Sequence, residues 1–476
     1  MSKMRLAIVG AGPAGIYAAD LLLKAERDFD VEIDLFEQLP APYGLVRYGV
    51  SPDHPRIKGI ITALREVLDS GTINFYGNVR YGQDITLADL KKHYHAVIFA
   101  TGAIRDAALN IPGIEAEGSY GAADFVSWFD GHPDVPRTWP LEARSVGVVG
   151  NGNVALDISR MLIKHADDLL PTEIPDNVYA GLKANPIEEL HLFGRRGPKY
   201  VKFTPLELRE LGEVRDVDMV LDERDFDVDD PYADEVLAKN KQVVVMTRIM
   251  DKWRAEQRTR TLAAETRSVD GEGGAATSAL DEHRASSRRL HLHFWSKPVE
   301  VVVENGRVAG LKVERTAPDG QGGVVDTGEF ETIPVQSLYR AVGYFGSPLD
   351  EIPFDESRGV IPNAQGRVQD LEGSRIPGVY ATGWIKRGPV GLIGHTKSDA
   401  METLECLMED RSSWWDPEEP SAEAIPALLH ERGVPYTTIE GWHRLDEHEL
   451  GLGEAEGRTR IKVVPRDEMT RVSRGE

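Results

Sequence analysis

The chain has 476 residues, of which 41% are hydrophobic and 28% are charged, and its formal net charge is -23. This length predicts two or three domains with substantial cores, and the acidic charge argues against nucleic acid or an anionic membrane as the main partner. No apolar run approaches the length of a membrane span and a buried strand is expected from about Leu6, so we expect a cytoplasmic protein without a signal peptide.

At the amino terminus, an apolar run passes directly into a glycine-rich turn. Residues up to Val9 predict a strand buried on both faces, and the turn Gly-Ala-Gly-Pro-Ala-Gly at 10–15 opens a helix. In this pattern Gly10 permits a tight turn, Gly12 lets a pyrophosphate approach the backbone, and Gly15 lets helix and strand pack closely. A second strand, predicted at 31–36, ends in Glu37, where an acid would hold an adenosine ribose. The stretch therefore predicts a dinucleotide site.

The next elements predict parts of the same domain. Residues 39–55 form a loop rich in turn-forming residues, followed by a helix at 57–68. His54 lies in this loop and, taken alone, is typical of a solvent-facing residue. A short buried strand at 96–100 is closed by Thr101 and Gly102, a small-residue ending that lets backbone lie against a flavin or its phosphates.

The pattern of a buried strand followed by a glycine turn begins again at residue 146. A strand at 146–149 leads into Gly-Asn-Gly-Asn-Val-Ala at 150–155, and Gly152 takes the place of the phosphate-approach glycine. The following strand, at 190–193, ends in Arg195 and Arg196 rather than in an acid. Two guanidinium groups suit a 2′-phosphate, which favours NADP over NAD. The alternative is an exposed basic pair at the end of a strand.

Later elements are less specific. Residues 204–211 predict a short helix, whose Glu207 and Glu210 are typical of acids near a helix start. Residues 299–303 and 308–313 predict a hairpin with a type I′ turn at Asn305 and Gly306. A buried strand at 378–383 is of the kind that completes the first domain, and a helix is predicted at 398–408. Beyond Trp414 we expect at most two short helices.

Two dinucleotides held by one polypeptide imply transfer between them. With FAD in the first site and NADPH in the second, a hydride can pass from the nicotinamide to the flavin. The single cysteine, Cys406, is expected to be buried, and its isolation excludes an internal disulfide relay and a multi-cysteine iron–sulfur site. A one-electron carrier protein is then the natural acceptor.

Several motifs together resemble the adrenodoxin-reductase type of ferredoxin–NADP reductase. They lie at residues 10–15, 43–47, 51–55, 150–157, 194–198, 206–211 and 383–389. The resemblance implies an α/β fold with two Rossmann-like, doubly wound dinucleotide-binding domains. The NADP domain, 105–340, would be inserted in an FAD domain made of residues 1–104 and 341–476, the latter with a carboxyl-terminal extension.

The resemblance also assigns site residues. The expected FAD contacts are Gly10, Ala11, Gly12, Ala14, Gly15, Glu37, Leu45, Trp384, Gly391 and Ile393, with Thr101 and Gly102 added by their own motif. The expected NADP contacts are Asn151, Gly152, Asn153, Val154, Arg195, Arg196 and Glu207. His54 and Glu210 match the family's His–Glu pair beneath the flavin, which makes them the candidate catalytic residues for proton relay or nicotinamide orientation. No metal site is predicted.

One segment departs from the family pattern. Residues 393–397 read Ile-Gly-His-Thr-Lys, where many relatives have Ile-Gly-Thr-Asn-Lys. A backbone contact through Gly391 would survive this change, whereas a side-chain contact at 395 or 396 would not.

The expected partner is an acidic ferredoxin-type protein. Because two negative proteins repel, docking requires a local basic face. The candidates are Arg248, Lys252, Arg254, Arg258 and Arg260, and the pair Lys386 and Arg387. The first cluster is equally consistent with a solvated helix face, and the oligomeric state is not predicted.

Three alternatives remain at this point. An NADPH oxidase, diaphorase or monooxygenase would pass the electrons to oxygen or a small molecule. A redox-responsive nucleotide-binding protein would use both nucleotides only to set its conformation. The small subunit of glutamate synthase shares the two-site plan but should bring a cysteine-rich segment, which this chain lacks.

Overall fold

A computed structural model describes residues 3–269, 285–390 and 394–476. Its first segment alternates strands and helices: β1 (Lys3–Val9), α1 (Pro13–Lys24), β2 (Asp30–Glu37), α2 (Leu45–Tyr48), α3 (Pro55–Lys58), α4 (Ile60–Leu68), β3 (Ile73–Gly77), α5 (Leu87–His93) and β4 (Ala96–Phe99). The four strands are parallel in the order β4-β1-β2-β3. The helix predicted at 57–68 is present as two pieces that meet at Gly59.

The middle segment builds a second parallel sheet. Its elements are β5 (Arg105–Asp106), β6 (Ser119–Gly121), α6 (Ala122–Phe129), β7 (Ser145–Val149), α7 (Asn153–Ile163), α8 (Asp176–Ala184), β8 (Glu189–Phe193), α9 (Pro205–Gly212), β9 (Val217–Leu221), α10 (Pro231–Glu235), α11 (Lys241–Val269), β10 (Arg288–His293), β11 (Ser296–Glu304), β12 (Arg307–Pro318), β13 (Val324–Ile333), β14 (Ser337–Arg340) and β15 (Tyr344–Phe345). The sheet has the order β6-β14-β7-β8-β10-β9.

The last segment returns the chain to the first sheet. It contains β16 (Asn363–Ala364), β17 (Arg367–Gln369), β18 (Arg375–Ala381), α12 (Trp384–Arg387), α13 (His395–Glu409), α14 (Ala424–Glu431), α15 (Ile439–Ala455) and α16 (Arg466–Arg474). β18 pairs in parallel with β4, so the first sheet reads β16-β17-β18-β4-β1-β2-β3. This is the expected α/β architecture: the six-stranded sheet is parallel, and the seven-stranded sheet is parallel apart from the antiparallel edge formed by β16 and β17.

The chain crosses from one sheet to the other twice, and the two crossing segments lie side by side. β5 and β15 form an antiparallel pair, in which Arg105 lies opposite Phe345. In sequence, all strands of the six-stranded sheet lie between these two crossing segments. The domain limits at 104/105 and 340/341 remain a prediction, and they fall beside these crossings.

Both glycine turns follow the strand at which the order of their sheet reverses. β1 lies between β2 and β4, and β7 lies between β8 and β14. In doubly wound sheets this switch point opens a crevice at the carboxyl ends of the strands, where nucleotides bind. β1 is buried from Met4 to Val9, so the strand that carries the first turn is enclosed on both faces.

The predicted hairpin is present and gains a third strand. Asn305 and Gly306 have φ values of 51° and 81°, as a type I′ turn requires. β13 pairs with β12 to complete an antiparallel sheet. The sequence did not predict β13. Nearly all of its side chains are exposed, so it lacks the alternation of apolar and polar residues that indicates a half-buried strand.

The expectation of at most two short helices beyond Trp414 is wrong. Three helices follow this residue, and α15 has 17 residues. Its buried face includes Trp442 and Leu445 but also the carboxylates of Asp446 and Glu449. These buried acids break the apolar periodicity that would otherwise have predicted the helix. Across the described ranges, no helix combines the length and the apolar character needed to cross a bilayer.

Buried ion pairs attach this carboxyl-terminal extension to both sheets. Arg47, on α2, donates to Glu449 at 2.6 Å. Lys462 lies 2.8 Å from Glu173 of the middle segment and donates to the carbonyl oxygen of Arg47. Burial lowers the pKa of Lys462 to about 8. The extension therefore joins two parts of the chain that are distant in sequence.

We expect Glu449→Leu to destabilise the protein by about 3–5 kcal/mol, because it leaves the buried Arg47 guanidinium without its carboxylate. Adding Arg47→Met should recover much of this loss, since the pair is then removed together. The measurement is the free energy of unfolding in urea. Glu447→Leu, an exposed position on the same helix, is the control and should change stability by less than about 0.5 kcal/mol. Equal losses in the single and double variants would contradict this account.

Candidate functional site

The first glycine turn leaves room for a phosphate group. A side chain at Gly10 would meet the carbonyl oxygen of Ala100 at 2.5 Å, whereas a Cβ at Gly12 would meet nothing closer than Gly44 at 3.9 Å. No side chain caps the amino terminus of α1, which leaves backbone donors of its first turn available. Positions Ala11, Ala14 and Gly15 lie in or beside this turn. The arrangement fits an anionic pyrophosphate.

Glu37 lies beside this turn at the end of β2. Its carboxylate accepts hydrogen bonds from the backbone N–H groups of Ala11, at 2.9 Å, and Leu39, at 3.1 Å. Burial raises the pKa of Glu37 to about 6 despite these bonds. Each carboxylate oxygen keeps a further lone pair, so a ribose hydroxyl can still be bound.

Residues of both the first and the last segment surround the first glycine turn. Gly383, which precedes Trp384, lies so close to α1 that a Cβ there would be 2.6 Å from the Cβ of Ala14. The Thr101–Gly102 ending follows β4, and Gly102 has φ of 74° with open space on the Cβ side. Leu45 and Trp384 are half-buried. Gly391 and Ile393 lie outside the described residues.

The second glycine turn has the same construction. A Cβ at Gly150 would meet the carbonyl oxygen of Ala341 at 2.3 Å, whereas a Cβ at Gly152 would meet nothing within 4 Å. The amino terminus of α7 also has no side-chain cap. Asn151 and Val154 are half-buried, and the side chain of Asn153 accepts a hydrogen bond from the backbone N–H of Thr204, at the start of α9.

Arg195 and Arg196 follow β8, beside the second turn. Arg195 is exposed, and Arg196 lies over the ring of Tyr200 at 5.8 Å. The Nε atom of Arg196 is buried without a hydrogen-bond partner. Within the described residues no carboxylate lies within 4.0 Å of either guanidinium, so both charges are available to a phosphate.

The predicted pair of His54 and Glu210 comes together in a larger ion cluster. Nδ1 of His54 lies 3.1 Å from Glu210, although the contact is not aligned as a hydrogen bond. Nε2 lies 3.0 Å from Asp157 and 2.9 Å from Glu207. His54 is 3% exposed, so the expectation for the residue taken alone, that it faces solvent, is wrong.

Arg160 supplies the main positive charge of this cluster. Its guanidinium donates to Asp53 at 2.9 Å and to Asp157 at 2.8 Å, and it also contacts Nε2 of His54. Sequence reasoning missed the functional position of Asp157 and Arg160. The available signal was their spacing of three on α7, which places both side chains on one face of the helix that the glycine turn opens.

Competing charges set the protonation state of His54. Burial lowers its pKa and Arg160 opposes a second positive charge, but hydrogen bonds to Asp157 and Glu207 outweigh both and raise the pKa to about 9. Burial raises the pKa of Glu210, an effect that the charge of His54 opposes. The raised pKa therefore favours the protonated form of His54 at neutral pH.

Most of the candidate docking cations are already engaged. Arg254 and Arg258 both bind Glu223, and Arg254 packs on the ring of Phe226 at 4.2 Å. Lys386 is buried between Asp399 and Glu402 and is not available to a partner. The exposed members of the predicted set are Arg248, Lys252 and Arg258.

Several known proteins are similar to this chain in sequence and in structure. Residues 4–187 match the family model described as pyridine nucleotide-disulphide oxidoreductase. The chain is 37% identical to the NADPH-ferredoxin reductase FprA of Mycobacterium leprae (strain TN), over 99% of this chain and 98% of that protein. It is 35% identical to the mitochondrial NADPH:adrenodoxin oxidoreductase of Homo sapiens, over 98% of this chain and 91% of that protein. The structure of Mycobacterium tuberculosis FprA in complex with NADPH is similar to this one with a TM-score of 0.86 at 34% identity, over 100% of both chains.

The fold and the two nucleotide turns thus define a pyridine-nucleotide oxidoreductase of the two-dinucleotide class. Within that class, the chain belongs to the family of NADPH-dependent ferredoxin and adrenodoxin reductases. The family resemblance identified from the sequence motifs is confirmed. With one cysteine, the chain cannot form the internal disulfide that the wider family description includes.

The raised pKa of His54 predicts a pH dependence of stability. Because its folded-state pKa lies above the ordinary value of 6.5, its contribution is fully present below about pH 6.5 and is lost as the pH rises through about 9. Asp157→Asn removes one of the carboxylates that raise this pKa, so the loss should occur at lower pH. The measurement is the urea unfolding free energy of the FAD-loaded protein between pH 6 and 10.

His54→Gln is the control. This variant lacks the titrating imidazole, so the part of the pH dependence that His54 causes should be absent from its unfolding free energy. A pH profile of Asp157→Asn that parallels the wild type would contradict the assignment of the raised pKa to the carboxylates.

Proposed function

We propose that this protein is an FAD-dependent oxidoreductase that takes a hydride from NADPH and delivers single electrons to a ferredoxin-type iron–sulfur protein. The proposal depends on the two glycine turns, each of which leads into a helix whose amino terminus has no side-chain cap. One turn lies beside Glu37 and the other beside Arg195 and Arg196. The full-length similarity to NADPH-ferredoxin and adrenodoxin reductases supports the same conclusion. FAD, when bound, supplies the conversion between two-electron and one-electron chemistry.

The first turn would hold FAD. The backbone at Gly10, Ala11 and Gly12 and the first turn of α1 would bind the pyrophosphate, and Glu37 would bind the adenosine ribose. Trp384, Leu45 and the Thr101–Gly102 ending would enclose the remainder of the molecule. Since Gly383 packs against α1, the placement of Trp384 depends on the return of the chain in β18.

The second turn would hold NADPH. The backbone around Asn151, Gly152 and Asn153 would bind the pyrophosphate, and Arg195 and Arg196 would bind the 2′-phosphate. Val154 and Glu207 complete the proposed contacts. The hydrogen bond from Thr204 to Asn153 ties the start of α9, and hence Glu207, to this turn.

We assign His54 and Glu210 a positioning role. Hydride transfer itself needs no proton relay, so the cluster is better suited to orienting groups and to holding a proton at His54. His54 comes from the first segment, whereas Asp157, Glu207 and Glu210 come from the middle segment. The cluster therefore keeps the two nucleotide turns in a fixed relation.

Docking of the acceptor is the finer part of the proposal. The chain carries a formal net charge of -23, so an acidic carrier must find a local basic face. Arg248, Lys252 and Arg258 on α11 are exposed and form the candidate face. Arg258 is exposed although it also pairs with Glu223, whereas Arg254 and Arg260 are half-buried with acceptors at Glu223 and at the carbonyl oxygen of Met219. The cytoplasmic location also remains a prediction.

Anaerobic titration tests the first half-reaction. We expect NADPH to bleach the flavin absorbance rapidly and NADH to do so far more slowly, because only NADPH offers a 2′-phosphate to the arginine pair. Arg195→Gln with Arg196→Gln should lower kcat/KM for NADPH by about 100-fold, since two charge-assisted contacts are lost, and should change that for NADH by less than about threefold.

Arg215→Gln removes an exposed cation elsewhere in the same segment and serves as the control. If the double variant still discriminates between the two nucleotides as the wild type does, the phosphate site is misplaced. If FAD-loaded protein stays oxidised under excess NADPH, the proposed function is wrong.

Steady-state rates with different acceptors test the second half-reaction. A ferredoxin should be reduced faster than oxygen or a quinone, which separates a ferredoxin reductase from an oxidase or diaphorase. Arg248→Glu with Arg258→Glu should slow ferredoxin reduction about tenfold at low salt, because electrostatic steering is reversed, and the effect should shrink at high salt.

Reduction of ferricyanide, which needs no protein docking, should change by less than about twofold in this variant. Arg144→Glu with Lys183→Glu changes the net charge by the same amount at other exposed positions and is the matched control. Equal slowing in both double variants would remove α11 as the docking face.

A further inference from the structure

Three histidines outside the nucleotide sites share one face of the six-stranded sheet. His191 is on β8, and His291 and His293 are on β10, its parallel neighbour. Side chains alternate along a strand, so His291 and His293 point to the same face, and His291 lies directly opposite His191. The alternating residues Leu290 and Leu292 are buried in the core on the other face. The sheet thus presents three imidazoles at adjacent positions.

The rings lie close enough to act together. The ring centroids of His191 and His291 are 4.4 Å apart, and Nδ1 of His191 lies 2.9 Å from Nε2 of His293. One ring nitrogen from each of the three residues falls within 4.8 Å of the other two. All three side chains are half-buried, so solvent reaches the group while the surrounding protein restricts the rings.

A carboxylate orients one of the rings. Glu189 accepts a hydrogen bond from Nε2 of His291 at 2.7 Å, and Arg289 pairs with the same carboxylate. This bond places the proton of the neutral ring on Nε2 and leaves the lone pair on Nδ1. Histidines that bind metals almost always donate their second nitrogen to a carboxylate or carbonyl in this manner.

The remaining nitrogens lack protein partners. Apart from the His191–His293 and His291–Glu189 contacts, the described part of the chain offers these rings no hydrogen-bond partner. Nε2 of His191 and the Nδ1 atoms of His291 and His293 are therefore not bound to other protein groups in the described part of the chain.

We propose that His191, His291 and His293 bind one divalent transition-metal ion, with Zn²⁺ as the reference ion. Imidazole suits Zn²⁺, Cu²⁺ and Ni²⁺, and three histidines with a fourth position open to water are an established ligand set for Zn²⁺. The rings are nearly parallel, with interplanar angles of 16°, 26° and 13°. Binding requires them to turn until their lone pairs converge, which replaces the His191–His293 hydrogen bond.

The other group of close ligand-type side chains does not fit a metal ion equally well. His54, Asp157 and Glu207 also lie within 4.8 Å of one another. There, however, the Arg160 guanidinium already donates to Asp157 at 2.8 Å and lies 3.4 Å from Glu207. A bound cation would have to displace this charge, whereas Arg289 near the three histidines is directed to Glu189.

Equilibrium dialysis of the full-length, FAD-loaded, tag-free protein against Zn²⁺ tests the proposal. We expect about one Zn²⁺ per chain with a Kd in the micromolar range or below. His291→Ala and His293→Ala should each weaken binding by more than about 100-fold, because each removes a ligand, and Glu189→Gln should weaken it by about 10–100-fold. His448→Ala, an exposed histidine on α15, is the matched control and should leave binding unchanged.

Cu²⁺ bound to the wild-type protein provides a test that does not depend on the folding of a variant. Its electron paramagnetic resonance spectrum should show hyperfine coupling to several imidazole nitrogens. Flavin content and the thermal unfolding midpoint establish that each variant is folded. Absence of stoichiometric binding to the wild type, retained binding in folded His291→Ala and His293→Ala, or a loss confined to His54→Gln would each overturn the proposal.

Discussion

The contacts of Arg160 are the interaction on which the relation between the two nucleotide turns depends. This buried guanidinium, on the helix opened by the second turn, binds Ser51 and Asp53 in the loop of the first segment. It also binds Asp157, on its own helix, and lies near Glu207 on α9. Since a buried guanidinium is stable only when it is paired, the loop and the two helices must meet at this point. His54 lies within this junction, and its environment is therefore set by both sheets.

A second charged junction acts at the opposite end of the chain. Lys462, Arg47 and Glu449 are buried and Glu173 is half-buried, and together they join the carboxyl-terminal extension to the first and middle segments. Buried ion pairs contribute little net stability compared with apolar packing, but an unpaired member is strongly unfavourable. We therefore interpret this network as a device that selects one arrangement of the extension over others.

The two glycine turns are built alike but are bordered by side chains of opposite charge. The first is bordered by Glu37, whose carboxylate would repel a 2′-phosphate, and the second by Arg195 and Arg196, which would attract one. In the proposed assignment, the residues at the ends of the next strands would distinguish the two adenine dinucleotides. The same sheet that carries the arginine pair also presents His191, His291 and His293, so under both proposals one sheet would serve two unrelated ligand chemistries.

The sequence by itself determined the two nucleotide turns, the class of fold and the identity of the residues at the strand ends. These features are contiguous, and each glycine is required by a local backbone constraint that any reader of the sequence can recognise. Only the tertiary structure decided that His54 is buried among Asp157, Glu207 and Glu210, that most candidate docking cations are engaged, and that α15 is a long helix. The first and the last of these outcomes depend on charges that are distant in sequence, such as His54 with Asp157 and Arg47 with Glu449. The docking cations instead pair with acids on nearby elements, such as Arg254 with Glu223. A buried acid reads as a surface residue in sequence, because its partner is identified only by folding.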